Sequence, residues 1–365
     1  MAIYRACYAN RTDIMTATDI KLTQDNVRHI DSALEAAAED VDGLTHRRFW
    51  NSVDTNVFDW PNYQRAYPWR IWLDSAEVAD KDGSGPLGIA PVIKTGVQSA
   101  SPVTIPLNAL FWQPRNYGPP WDAIEINRST SYSYGLSDTP QEDVSIQAVC
   151  GYWTHTKPGG TLAAAVSSTT ATTVTVSDSS LAGVGDVIIA GTEQLLVSDS
   201  AMADTGQAQQ GSGCSTAAAN DVTLTVTDGT QIHAGEYLQL DSEWMLAQSV
   251  TGNNVTVVRQ ALGTVIATHT SAEVYAMRQF TVERGFGGTT AATHLQNAAL
   301  LVSLVPGEVR ELAIAEALNY VFQKTSGYAR TIGENGGTTV PGGSLPDLRN
   351  RVYTRYGRKV RVRVI

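Results

Sequence analysis

The chain has 365 residues, 42% hydrophobic and 17% charged, with a formal charge of −10. This length predicts two or three packed units, each with its own core, and a chain rich in Thr, Ser, Val and Gly predicts a β-dominated globular protein, not a disordered one. Strong acidity argues against sequence-reading DNA recognition, no uninterrupted apolar run approaches the roughly 18–20 residues that span a bilayer, and the start MAIYRACYANRTD lacks an export-signal pattern.

Taken in order, Thr23 is placed to cap a helix that opens with Asp25 and carries Ile30, Leu34, Ala37, Val41 and Leu44 on one face, ending at Gly43. From Val53 to Trp153 the pattern changes to short runs punctuated by Pro, Gly and Asp. Phe58-Asp59-Trp60-Pro61, Arg70-Ile71-Trp72-Leu73 and Ala123-Ile124-Glu125-Ile126 read as strands between turns, with alternating Val144 to Val149 running through the centre. After Pro306, a helix with Val309, Leu312, Ala313, Ala317, Tyr320 and Val321 on one face extends to about Lys324. A Gly-rich linker, Gly333 to Gly343, precedes a short basic helix opened by Pro346 and stopped by Gly357. The alternating Lys359-Val360-Arg361-Val362-Arg363-Val364 reads as a terminal strand.

An internal repeat lies between residues 172 and 302. Thr173 to Asp178 recurs 50 positions on as Thr223 to Asp228, Gly185-Asp186-Val187-Ile188 as Gly235-Glu236-Tyr237-Leu238, and Glu193 as Glu243. Another block, Val257-Val258-Arg259, Gly263-Thr264 and Ala267-Thr268-His269, returns 25 positions on as Val282-Glu283-Arg284, Gly288-Thr289 and Ala292-Thr293-His294. The order is first half, first half, second half, second half. One small β module is therefore expected inside a loop of another copy, the inner copy closed by the hairpin turn Thr251 to Asn254. Ser200 to Asn220 and Ala276 to Phe280 are the expected crossings, and Gly206 to Gly213 reads as an exposed loop.

Chemistry-bearing patterns are few. Gly83-Ser-Gly-Pro-Leu-Gly88 has the letters of a dinucleotide fingerprint, but it follows no strand, and Pro86 and Pro91 block a helix, so it reads as a turn. His29, His46, His155, His233, His269 and His294 include no pair at common metal-ligand spacing. His269 and His294 are repeat equivalents, expected, with Glu193 and Glu243, to support the scaffold of each copy. Cys7, Cys150 and Cys214 form no framework or zinc pattern. The aromatic stretches Trp60 to Trp72 and Phe111 to Trp121 could stack on a partner, although core packing is the plainer expectation. Neither a P-loop nor a nucleophile elbow is visible; no catalytic residue, metal site or cofactor is expected, and the chain reads as a non-enzyme.

The far end has the sharpest composition. Arg349, Arg351, Arg355, Arg358, Lys359, Arg361 and Arg363 crowd the last 17 residues, leaving a body near −17. Val360, Val362 and Val364 would make one apolar edge opposite the arginines, a segment suited to adding a strand to the sheet of another chain, a partner or a neighbouring subunit. Removal of residues 346 to 365 is expected to leave a folded protein.

Several strings, in order and spacing, resemble the adaptor or connector proteins in the neck of long-tailed double-stranded DNA bacteriophages, particularly those of actinobacteria. They are Ala36-Ala-Ala-Glu-Asp-Val-Asp-Gly-Leu-Thr-His-Arg-Arg-Phe49, Phe58-Asp-Trp-Pro-Asn62, Arg70-Ile-Trp-Leu-Asp74, Val149-Cys-Gly-Tyr152, Arg284 to His294, Phe322 to Arg330, Asp347-Leu-Arg349 and Tyr356 to Arg361. The resemblance covers most of the chain, although the doubled β module departs from the simplest members. It implies a homo-oligomeric ring, commonly a dodecamer, between the portal protein and a stopper or tail-terminator protein, with transient non-specific contact to genomic DNA, no membrane partner and no cofactor. Such a protein would be made in the host cytoplasm and reside in the virion neck. The alternative is a receptor- or carbohydrate-binding β-module protein of the phage tail.

The expected fold is α+β and β-dominated. It comprises an N-terminal helical part (residues 1–50), a β domain (51–160), two nested β modules (161–303; outer 172–199 plus 280–302, inner 222–275) and C-terminal helices with a basic tail (304–365) completing one helical bundle. The strands between would be passengers on that bundle, and the acidic surplus would line the bore.

Overall fold

The computed structural model describes residues 3–18, 24–60, 67–211, 213–325 and 345–358. Thr23, the linker from 333 to 343 and the terminal segment 359–364, all singled out above, lie outside the described residues. The fold is α+β with antiparallel sheets dominant and helices toward both ends of the chain. Among the described residues no helix is long and apolar enough to cross a membrane.

Helix α1 (Arg11–Thr18) is too short and too polar to show a periodic stripe, and the sequence reading passes over it. Local chemistry nonetheless opens it. The Asn10 side-chain oxygen accepts the Asp13 amide at 3.0 Å while the Asp13 carboxylate accepts the Asn10 amide at 3.0 Å, a reciprocal cap of two orphan donors. Helix α2 (Gln24–Thr45) buries Ile30, Leu34, Ala37, Ala38 and Val41. It runs two residues past Gly43, because the chain leaves the helix at His46, whose φ of 52° is left-handed.

The β domain follows: β1 (Ser52–Phe58), β2 (Arg70–Trp72), β3 (Val78–Asp80), β4 (Val92–Thr95), β5 (Val103–Ile105), β6 (Leu110–Gln113), β7 (Ala123–Ile126) and β8 (Val144–Cys150). Central β8 pairs with β1 along its whole length and with β4 and β3 over its two ends, while β2, β7 and β6 form a separate three-stranded sheet. Their common core holds Trp60, Ile71, Ile93, Trp112, Trp121, Ile124 and Ile146.

The ten-stranded sheet contains β9 (Thr156–Thr161), β10 (Thr173–Thr175), β11 (Val187–Ala190), β12 (Glu193–Ala208), β13 (Thr223–Thr225), β14 (Tyr237–Leu240), β15 (Glu243–Thr251), β16 (Asn254–Val258), β17 (Glu273–Glu283) and β18 (Ala299–Ser303). Here the repeat is visible in the register. In one copy Leu196, Val197, Asp199, Ser200 and Ala201 oppose Glu283, Val282, Thr281, Phe280 and Gln279; in the other Leu246, Ala247, Ser249, Val250 and Thr251 oppose Val258, Val257, Thr256, Val255 and Asn254. Every pair is displaced by the sequence offsets, and both ladders bulge at the same step. The inner copy closes this ladder with a two-residue turn at Gly252-Asn253; in the outer copy β12 and β17 continue past the same point as a ribbon and carry the inner copy. Gly206 to Gly213 is not a plain exposed loop: β12 reaches Ala208, and Gln209 is buried, its amide donating to the carbonyls of Gly213 and His269.

The chain returns through α3 (Gly307–Thr325) and α4 (Leu345–Tyr356), which pack with α2 although the sequence between is mostly strand. Leu34, Val41, Val309, Leu312, Ala317, Val321 and Val352 share one core. That core also contains Val174, Ile188, Leu195, Val197, Phe280 and Leu300 of the outer module, so the outer strands are not passengers but one wall of the helical unit. The inner module keeps its own core around Leu224, Leu238, Met245, Val255 and Val274. Near the amino end Ile3, Cys7 and Arg11 donate amides to the carbonyls of Ser198, Gly185 and Val184, stitching that segment to the outer copy.

Phe49, fully buried where α2 gives way to the β domain, has ring centroids of Tyr152, Tyr8 and Tyr356 at 5.1, 5.5 and 6.2 Å. Truncation there removes a contact shared by the first helices, the β domain and α4. Phe49→Ala is expected to destabilise the protein by about 3–5 kcal/mol, measured by denaturant unfolding.

Candidate docking end and buried carboxylate networks

Helix α4 carries the described part of the basic end. Its inward residue Val352 is fully buried, and Leu348 and Tyr356 pack on the same core. Of its arginines, Arg349 forks onto Glu316 of α3, with one contact at 2.7 Å, and Arg355 reaches Glu308 at 3.0 Å. Just beyond the helix, Arg358 lies 4.0 Å from Glu77 of the β domain and donates its amide to Thr45 at 2.9 Å. Three of the predicted docking residues therefore pin the C-terminal helix to its own chain, because their acids are supplied by elements distant in sequence. Arg351 is exposed and makes no ion pair among the described residues. Lys359, Val360, Arg361, Val362, Arg363 and Val364 lie outside the described residues. Removing residues 346 to 365 would strip Val352 from the core, so it is not the clean deletion expected from sequence.

The repeat equivalents meet in two buried networks built to one plan. In the outer copy Glu193 receives Arg284 through Nε and Nη2 at 2.7 and 2.9 Å, the amides of Gly285 and Ala292 at 3.0 Å each, and His294 Nε2 at 2.7 Å. In the inner copy Glu243 receives Arg259 at 3.0 and 2.6 Å, the amides of Gln260 and Ala267 at 3.3 and 2.9 Å, and faces His269 Nε2 at 2.9 Å. The arginines also donate to the carbonyls of Ala292 and Ala267. Burial pushes the Glu193 carboxyl up, but the donors from Arg284, Ala292, His294 and Gly285 outweigh it and hold the group at about 2; the same balance keeps Glu243 below its ordinary value.

Each network fastens a loop that leaves the sheet after the arginine. That loop needs left-handed backbone at matching places, Gly285 and Gly287 in one copy and Gln260 and Leu262 in the other, with φ between 56° and 63°. A Cβ on Gly287 would come within 2.8 Å of the Asn51 carbonyl, which explains why the outer copy, docked on the β domain, keeps glycine there. The repeat pairs Glu193 with Glu243 and His294 with His269 in sequence, while the arginines that partner both acids emerge only in the fold. The signal was present, since Arg259 and Arg284 stand in the same repeated block.

A third acid, Glu236, joins the copies. It accepts Arg278 at 2.7 and 2.6 Å and the amide and hydroxyl of Ser179 at 3.0 Å each. Asp178, His233 and Glu236 bring potential ligand atoms together, but the Arg278 guanidinium already neutralises the Glu236 carboxylate and lies 3.3 Å from His233 Nδ1. Between α1, α2 and both modules lies a cleft of about 430 Å³ with Met15, Tyr237, Trp244 and Phe280 on its apolar side. Its rim arginines are committed: Arg11 to Asp31 and Asp199 at 2.9 Å, Arg310 to Asp13 at 2.8 Å. Gly83 to Gly88 is a turn held by Asp80, whose carboxylate accepts the amides of Gly83 and Gly85 at 3.0 and 2.8 Å.

Comparison with protein-family models, curated proteins and solved structures finds no match to this chain.

Two outcomes are expected of the carboxylate networks. Glu193→Gln leaves Arg284 buried without its counter-charge and is expected to cost about 3–5 kcal/mol at neutral pH, seen in denaturant unfolding. Because the folded carboxyl sits near 2, below its ordinary 4.5, its contribution is present above about pH 4.5 and lost as pH falls toward 2. The gap between wild type and variant is therefore expected to narrow over that window; a gap independent of pH would show that Glu193 is not the charged partner.

Proposed function

We propose that the chain is a structural, non-enzymatic protein of the neck of a long-tailed DNA bacteriophage. It forms a ring beneath the portal protein, connects the capsid to the stopper or tail-terminator protein and gives the genome a passage. The observation that carries this reading is the meeting of α2, α3 and α4 in one bundle, to which α2 and α4 bring two of the strings that resemble neck adaptors. A wedge of this kind can contact a neighbour on each side, and repetition of one heterologous contact closes a ring. An acidic bore would keep DNA phosphates off the wall as the genome slides through.

The test is a cryo-EM map of the portal-to-tail junction, with immunogold labelling of whole particles beside it. Label at the neck and density fitting this chain are expected. Label at the distal tail would replace the reading with the receptor- or carbohydrate-binding one, and particles without the chain would end it. The terminal segment gives a second test. Removal of residues 359–365 spares α4 and its core contacts, so the truncated protein is expected to unfold like wild type yet leave heads and tails unjoined in complementation, with normal joining counting against a docking role.

A further inference from the structure

The β2-β7-β6 sheet presents an outer face that neither its core nor the helical unit uses. In register across it lie Arg70, Glu125 and Phe111. Glu125 is buried between Arg70, at 2.6 Å, and Arg115, at 2.8 Å. Each arginine of the face also sits over an aromatic ring: Arg70 4.9 Å from the Tyr67 centroid, Arg115 4.6 Å from Phe111, and Arg128 4.6 Å from Trp69. Tyr67 and Phe111 are 47% and 38% exposed, and the Arg115 side chain is 55% exposed, so the stacks stand in solvent. A guanidinium over a ring can still donate in its own plane, as Arg70 and Arg115 do to Glu125. Arg128 has no carboxylate partner among the described residues. Arginine set on aromatic rings is the composition of interface cores, not of ordinary surface.

The same domain carries the complement. At the junction of β1 and β8 Asp59 accepts the Glu142 amide at 2.9 Å, and Asp138 precedes Glu142 in the same connecting segment; all three are exposed, and no cation pairs with any of them among the described residues. We propose that the arginine–aromatic face around Arg70, Arg115 and Arg128 docks on the acidic rim of Asp59, Asp138 and Glu142 in a second copy of this chain. This rests on the ring reading above and names a contact within it. One basic face and one acidic rim on every subunit is the arrangement a head-to-tail contact repeats. Duplex DNA is the lesser fit, because it meets the rest of a −10 protein with like charge and offers nothing that every subunit could pass on.

The full chain is tested with two variants, Arg115→Ser with Arg128→Glu, and Asp138→Arg with Glu142→Arg, each first checked for wild-type unfolding. Wild type is expected to self-associate at low ionic strength in sedimentation velocity and to dissociate as salt is added. Each variant alone is expected to associate about tenfold or more weakly, since like charges then face one another. An equimolar mixture is expected to recover association, because each variant supplies the face that the other lost. A wild type that stays monomeric at low ionic strength, variants that associate like wild type, a mixture no better than its parts, or duplex DNA captured by the arginine face would each overturn the proposal. Failure of the neck reading is distinguishable. Particles whose neck ring is built through other surfaces would refute this contact alone, whereas the charge-swap result with no copy in the neck would refute only the location.

Discussion

Burial of the apolar stripes of α2, α3 and α4 against one another and against the outer β module is the constraint on which the rest of the structure depends. The helices come from opposite ends of the chain, so this core fixes the two ends of the long β excursion at one place. A loop that long is expensive to close by itself, although the entropy grows only slowly with length. The cost is offset because Val174, Ile188, Leu195 and Phe280, within the excursion, return to the same core instead of forming one of their own. Arg11 ties the arrangement electrostatically: one guanidinium reaches Asp31 on α2 and Asp199 on the long strand β12.

The duplicated module shows how a buried charge survives copying. Glu193 and Glu243 are fully buried, which would be untenable alone; each brings its arginine, its histidine and two backbone amides from the second half of the same repeat. The halves are separated by different lengths of chain in the two copies, yet the contacts agree atom for atom. The networks therefore follow from the fold of the module and not from local sequence. The copies differ at a further contact to the histidine. Asp241 of the inner copy faces His269 at 2.8 Å, whereas the matching position in the outer copy is Gly191.

Much of this was legible in the residues. The amphipathic stripes of α2 and α3, the central β8, the helix opened by Pro346 and the interleaved order of the repeat follow from periodicity and from matching strings at fixed offsets. Helix α1 was missed because its 8 residues have no stripe, although Asn10 and Asp13 carried a readable cap. The roles of Arg349, Arg355 and Arg358 were not legible, since nothing local distinguishes an arginine on solvent from one whose acid arrives from another helix or domain. The aromatic stretches divided: Trp60, Trp112 and Trp121 went to the core, while Tyr67, Phe111 and Tyr117 stayed outside. Composition cannot make that division, because it depends on which strand face is turned inward.

The ribbon made by β12 and β17 occupies the place that Gly252-Asn253 fills in the inner copy. The architecture is thus recursive: the hairpin tip of one module is the socket for the next, and the inner tip, closed by Asn253 on Thr227 and Gly229, stands at the end of a ladder with the same register and the same bulge. Lengthening by a further copy would demand no new packing against the helical unit, because the inner module already keeps a core of its own. The reach of the arm can therefore change by whole modules while the helical unit stays as it is, which separates how far this protein extends from how it is anchored.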